Sequence, residues 1–279
     1  MPDCSLSPVS ASAWQASLRL AFAGDGHRTR LVGNAHRGPL RVQKALYPEG
    51  PGICHAIVLH PPGGVVGGDR LAIEVECGAR AHALLSTPGA AKWYRANGRV
   101  AGQQVRLTAG PGAAIEWLPQ ESIFYNQARV ELEHDVELAI DARYLGLEIL
   151  CFGRRAAGEQ FTQGSLRQRT RIRRAGQLLW WEQGVLDGAG AGMHSALGLG
   201  GASVCATLIA VAPALPAGLL AAVRGLDPAL AASQLKTLFV ARYLGHDSET
   251  ARRLLAAAWQ LLRPPLLGCA APLPRIWNT

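Results

Sequence analysis

Residues 54–77 read CHAIVLHPPGGVVGGDRLAIEVEC, from Cys54 to Cys77. An apolar run, Cys54–His60, enters a turn of two prolines and four glycines, and an alternating run, Arg70–Cys77, leaves it. Alternation of apolar and polar residues marks a half-buried strand. The glycine cluster therefore joins strand to strand, and this decides the class of fold. A Walker loop would need GxxxxGK[ST], and no Lys, Ser or Thr follows the glycines. A dinucleotide loop would need GxGxxG ahead of a helix, whereas Gly63, Gly64, Gly67 and Gly68 are spaced otherwise and precede a strand. A nucleophile elbow would need a serine between the glycines. Paired glycines suit positive φ or close backbone approach, and Pro61-Pro62 stiffens the path into the turn. Two readings stay open: a rigid connection between strands, or a turn that fixes His60 or Asp69 in a site or interface.

The same pattern extends outward. Strands are expected at 14–22, 29–34, 40–47 and 54–60 on one side of the turn. On the other they are expected at 70–77, 80–87, 103–108, 113–118, 129–138, 145–151, 166–174 and 177–184. Short strands punctuated by Gly, Pro and Asn argue a sandwich, barrel or stacked-sheet body, and no internal repeat is strong enough to mark a solenoid. The last third changes character. Asp227-Pro228 opens a leucine-striped run closed by Gly245, which predicts a helix over 227–245. A second helix is expected from Asp247 to Arg263, stopped by Pro264-Pro265, and a shorter one over 216–224. The segment 205–223 is long enough to span a membrane, but Pro213 and Pro216 divide it into a strand, a turn and a helix start. The reading is a mainly β protein: a β-rich body over 1–212, a small helical subdomain over 213–265 and a proline-rich tail over 266–279.

Composition narrows the role. Only 17% of the 279 residues are charged, against 49% hydrophobic, so a sizeable protein–protein interface is expected. Net charge is +8, and part of it lies in Leu166–Arg174, whose arginines alternate and would share one strand face. That face is either solvated or an anion or partner site, and without interleaved aromatic residues it offers no base-stacking platform. The cysteines Cys4, Cys54, Cys77, Cys151, Cys205 and Cys269 are scattered, with no CxxC pair or zinc spacing. They read as reduced, cytoplasmic thiols, and the N-terminal stretch lacks the basic and apolar regions of a signal peptide. No HxH or HExxH motif pairs the eight histidines. No serine or cysteine has an evident base, and Cys151 reads as a structural thiol. A weak site of carboxylates and imidazoles from distant strands stays open. The second dense stretch is Leu85–Arg95, where Lys92, Trp93, Tyr94 and Arg95 follow a Pro-Gly turn. Such residue types anchor interfaces, or pack a loop on its own domain. Trp180-Trp181 and Trp277 add further aromatic candidates.

Together these stretches resemble the urease accessory protein D (also called H) family. The resemblance rests on Gly38–Gly50, His60–Asp69, Ser86–Arg95, Glu116–Glu121 and Leu147–Arg154 with Gly158-Glu159. Arg242-Tyr-Leu-Gly245 and Pro274–Thr279 complete it, in order along nearly the whole chain. Phe152 and Leu273 depart slightly from the family's usual pattern. The resemblance implies a stacked-sheet, β-helix-like body with a few helices. It implies a non-enzymatic scaffold in nickel-urease maturation. Such a scaffold would bind apo-urease and accessory protein F, and through F recruit the GTPase accessory protein G, which brings nickel. A conduit needs exchangeable ligands, because a tight site would keep the metal. On this reading no cofactor is tightly bound and nickel passes transiently along Asp69, His60, Glu121, Glu148 and Glu159. Lys92, Trp93, Tyr94, Arg95, Arg242, Tyr243, Arg275 and Trp277 are expected to touch partners, with the C-terminal helices and tail docking accessory protein F. Neither nucleic acid nor membrane is expected as a partner. The alternative readings are an anion-surface binding protein, marked by steep salt dependence, or a β-rich hydrolase, which needs a nucleophile beside a base.

Overall fold

The computed structural model describes residues 13–278; Cys4 and the N-terminal stretch read above lie outside the described residues. The strands are β1 (Gln15–Gly24), β2 (Thr29–Arg37), β3 (Ala45–Leu46), β4 (Ile53–Ile57), β5 (Arg70–Cys77), β6 (His82–Ser86), β7 (Ala91–Trp93), β8 (Ala101–Ala109), β9 (Ala114–Leu118), β10 (Ser122–Phe124), β11 (Arg129–Leu138), β12 (Arg143–Phe152), β13 (Ser165–Arg174), β14 (Gln177–Asp187), β15 (Val204–Val211), β16 (Leu230–Leu235) and β17 (Leu238–Gly245). The helices are α1 (Ala191–His194), α2 (Leu219–Arg224) and α3 (Ser248–Leu267).

Among the described residues the strands form two sheets. The first has seven strands in the order β14-β13-β11-β8-β5-β1-β2. The second has ten, with the path β16-β17-β15-β12-β9-β6-β4-β3 and β10 and β7 beside β12. The chain alternates between sheets, so each coil lays one parallel strand on each: β5, β8, β11 and β13 in the first, β4, β6, β9 and β12 in the second. This is a β-solenoid-like stack closed by antiparallel strands. Its coils begin at Arg70, Ala101, Arg129 and Ser165, an uneven spacing that explains why no sequence repeat is visible.

Three layers result. Leu18, Leu71, Val105, Val136 and Ile172 of the first sheet meet Ala83, Ile115, Trp117 and Tyr144 of the second in one core. The other face of the second sheet packs on α2 and α3 in another core. With both faces covered, β9 (AIEWL) is buried throughout, as parallel central strands are. Asp247 caps α3 by accepting from the N–H groups of Glu249 and Thr250, as expected from its position. Leu254, Leu255, Trp259, Leu262 and Leu266 then face the sheet, each burial contributing about 1.5–3 kcal/mol. Beneath them lies an ion network. Arg263 Nε donates to both oxygens of Glu116 at 3.0 Å, and its Nη2 donates to Glu49 at 2.9 Å. His82 and the Trp259 indole also bond Glu116, at 2.8 and 2.7 Å, while His55 bonds Glu49 at 2.7 Å.

Two helix expectations change. Residues 227–245 are a hairpin, β16 and β17, not a helix. The Asp227 carboxylate accepts from the Ala229 N–H in a local turn instead of capping a helix. Lys236 turns the chain at φ 52°, and β17 pairs along its whole length with β15, so sheet pairing overrides a helical signature. The 213–265 segment is accordingly part strand and part helix. Nor does Pro264-Pro265 stop α3, which runs to Leu267 and ends at Gly268, φ 72°. The two missing N–H groups are tolerated where Leu262, Arg263 and Leu266 hold that turn in the core. The strand expected at 40–47 shrinks to a bridge at Arg41 and the two residues of β3. Among the described residues no helix is long and apolar enough to cross a membrane; 205–223 is β15, a turn and α2.

Candidate functional site

The turn that opened the sequence reading is rigid for three reasons. Gly68 adopts φ +100°, and a Cβ on Gly67 would lie 2.5 Å from the Arg99 carbonyl oxygen, so both positions need glycine. Asp69 is buried and aimed back at the backbone: Oδ1 accepts from the Trp14 N–H at 2.9 Å and Oδ2 from the Val66 N–H at 3.1 Å. Asp69→Ala is expected to lower stability by about 1–3 kcal/mol by orphaning both donors, and Asp69→Asn by less, since one acceptor oxygen remains. Thermal melts of the two variants check this; melting like the wild type for both would show that these bonds carry nothing.

The turn delivers His60 to a cavity of about 260 Å³ between the two sheets. The lining runs from His60, Gly63 and Gly64, with Thr87–Lys92, to Glu148, Gln168, Glu182 and Thr207 on β12–β15. Because β4 and β15 lie several strands apart in the second sheet, the cavity crosses the body beneath that sheet. Two buried side-chain nitrogens on its wall, His60 Nε2 and Gln120 Nε2, have no hydrogen-bond partner among the described residues. Such groups are costly unless something polar meets them. Burial lowers the pKa of His60 below the usual imidazole range, and the Asp69 charge only partly offsets it.

At the far wall, Gln168 Nε2 donates to a Glu148 carboxylate oxygen. The remaining accessible surface of Glu148 faces the cavity. Burial, reinforced by the Glu182 carboxylate, lifts the Glu148 carboxyl to about 7. Glu182 itself is held by Arg242 at 2.5 Å. Midway, burial pushes His134 down to about 4, so the ring is neutral and the Tyr144 hydroxyl lies 3.1 Å from its Nε2.

Of the five path residues expected from sequence, the structure brings His60 and Glu148 to one cavity. Asp69 stands behind His60 and closes its turn. Glu121 pairs with Arg252 elsewhere. Glu159 pairs with Arg154, accepts from the Asn126 N–H at 2.8 Å and lines a separate pocket with His194 and His246. Among the described residues no three His, Cys, Asp or Glu side chains are grouped to hold a metal. Sequence reasoning missed Glu182, Gln168, His134 and Tyr144. A signal existed on β13, where the residues between the arginines are Leu166, Gln168, Thr170 and Ile172: polar side chains at inward positions mark a wet wall. Three of the arginines lie on the outer face and are neutralised by β11, Arg169 by Glu133 at 2.9 Å, Arg171 by Asp135 and Arg173 by Glu137 at 3.0 Å, whereas Arg174 is buried.

The expected partner residues divide. Lys92, Arg95 and Arg275 are exposed. Trp93 is fully buried and stacks on Phe124, and Tyr243 sits in the helix-side core, so both are core residues rather than exposed anchors. Tyr94 leans on Tyr125, Arg242 serves Glu182, and the Trp277 indole donates to Ser86 Oγ at 2.9 Å, fastening the tail.

Comparison with known proteins gives one answer. The family model described as "UreD urease accessory protein" matches residues 15–278. The chain is 58% identical to the urease accessory protein UreD of Janthinobacterium sp. (strain Marseille) over 271 residues, covering 95% of this chain and 92% of that protein. It is 52% identical to the one from Azoarcus sp. (strain BH72) over 269 residues, 95% and 94% of the two chains. It is 49% identical to the one from Dechloromonas aromatica (strain RCB) over 279 residues, 98% and 97%.

Proposed function

The chain belongs to the UreD urease accessory protein family, and from that premise we propose that it is the maturation scaffold that passes nickel through its body to apo-urease. It is an accessory protein, not an enzyme, and its role lies in urease maturation. As a scaffold it holds apo-urease and accessory protein F, and through F the GTPase accessory protein G, which supplies the metal. GTP hydrolysis belongs to G. Nickel is cargo here, with no tightly held cofactor. The compartment is the cytoplasm, a reading in keeping with the buried free thiols Cys54, Cys77 and Cys151.

The observation that carries the conduit is the cavity between the sheets, with an unpartnered imidazole nitrogen at one side and a buried, protonatable carboxylate at the other. A borderline cation moves along imidazole and carboxylate donors that stand singly, because a closed tetrahedral set would retain it. Neutral His60 offers a free lone pair, and Glu148 releases its proton when a cation arrives.

The test is co-expression with accessory proteins F and G and apo-urease, followed by capture on this chain and assay of nickel and urease activity. Capture of F and apo-urease, with activity depending on this chain, is the expected result. Failure of well-folded protein to capture either overturns the scaffold reading. Capture with full activation by a His60→Ala, Glu148→Gln double variant overturns the conduit alone.

A further inference from the structure

Residues 26–48 contain five Arg or Lys and two His, but no Asp or Glu. The fold gathers them along one side of the molecule. Among the described residues β2 is an edge strand that pairs with β1 alone, with the Thr29 N–H at its start already given to the Pro51 carbonyl, so the free edge lies toward Arg37. The chain after it crosses to the second sheet, where Arg41 bridges to Leu59 and β3 pairs with β4. Leu40 and Val42 turn inward, while Arg28, Arg30, Arg37, Arg41 and Lys44 are exposed. The carboxylates that bracket the run are already engaged. Asp25 accepts from the N–H groups of His27 and Arg28, both at 2.8 Å, and Glu49 is committed to Arg263 and His55. Among the described residues none of the five cations forms an ion pair. On β13, by contrast, Arg169, Arg171 and Arg173 meet carboxylates of β11.

We propose that this basic edge docks an acidic, extended segment of a protein partner, which adds to β2 as a further strand. An edge strand offers a row of unpaired N–H and C=O groups, the recognition element of strand addition. Five unpaired cations beside it select an acidic segment and steer its approach. A second copy is disfavoured, because β2 would meet an equally basic β2. Nucleic acid finds only one Phe, Tyr or Trp in the run, Tyr47, which is no row of rings on which to stack successive bases.

Two arms test this. In the first, a synthetic peptide alternating Glu and Val is added to the full chain and amide hydrogen exchange is followed. In the second, binding of purified apo-urease and of purified accessory protein F is followed from low to high salt, a choice that rests on the maturation reading. The variant carries Arg30→Glu, Arg37→Glu, Arg41→Glu and Lys44→Glu, with Arg253→Glu on exposed α3 surface as the control. The expected result is peptide protection confined to β2, with at least one protein partner weakened about tenfold or more in the edge variant and unchanged in the control. Salt should erase the difference. Protection of β2 by the peptide while neither protein binds the wild type leaves the edge standing and removes the maturation partners. Partner binding that ignores the edge variant, with no protection of β2, overturns the edge and leaves the maturation reading intact. Preference of the wild type for duplex DNA or anionic vesicles over both proteins also overturns it.

Discussion

Glu148→Gln is expected to stabilise the folded chain above neutral pH while lowering nickel delivery to urease about tenfold. In the unfolded chain this carboxyl ionises at its ordinary value of about 4.5; in the cavity, burial first and the Glu182 charge second raise it to about 7. Between those values the unfolded chain has lost a proton that the folded chain still holds. Folding therefore takes up a proton, and stability falls as pH rises from about 4.5 to about 7, then stays at its lower level. The loss amounts to roughly 3 kcal/mol at most, since water in the cavity softens it. Glutamine keeps an oxygen for the Gln168 amide and carries no charge to bury. Urea unfolding of wild type and variant at pH 5 and pH 8 checks the first half, and the maturation assay checks the second. A stability difference that does not change between the two pH values would sink the assignment.

Arg263→Met is expected to cost about 3–5 kcal/mol, the largest single loss anticipated for this molecule. Arg263 and Glu116 are both fully inaccessible. Burial would lift Glu116, but His82 and then Arg263 hold it below the usual carboxylate range; Glu49, similarly placed, is held at about 2 by His55 and Arg263. Methionine leaves two carboxylates facing each other with no arginine between them. The triple variant Arg263→Met, Glu49→Gln, Glu116→Gln is expected to recover most of the loss, because an uncharged set needs no counterion. Urea titration at neutral pH measures both. A single-variant loss below about 1 kcal/mol, or a triple variant no more stable than the single, would show that the network does not hold α3.

The strand content was legible because half-buried strands such as β5 and β11 alternate in plain sight. The stacking was not, since coil length varies and each coil buries its apolar face against neighbours distant in sequence. The 227–245 error has the same root: Asp227, Pro228 and Gly245 are honest local signals, and pairing with β15, which no local pattern encodes, decides against them. For the site, HPPGGVVGGD offered both His60 and Asp69, and the structure gives them different surroundings. The acid in that motif bonds backbone, and the imidazole ahead of it reaches the cavity. Glu148 could be named as a candidate, yet its partners Gln168 and Glu182 come from strands whose register only the folded sheets reveal. The Trp93 and Tyr243 positions show the limit of residue type, because the same rings that anchor interfaces also fill cores.

The Arg263 network also imposes an order of events on the ribosome. Glu49 and Glu116 are synthesised early, in the strands and loops of the body, and the arginine that neutralises both arrives only with the last turn of α3. Until that helix leaves the exit tunnel, the face of the second sheet that α3 covers remains open, and Glu49 and Glu116 have the His55 and His82 imidazoles beside them but no permanent cation. Closure of the body therefore coincides with completion of the helix that locks it.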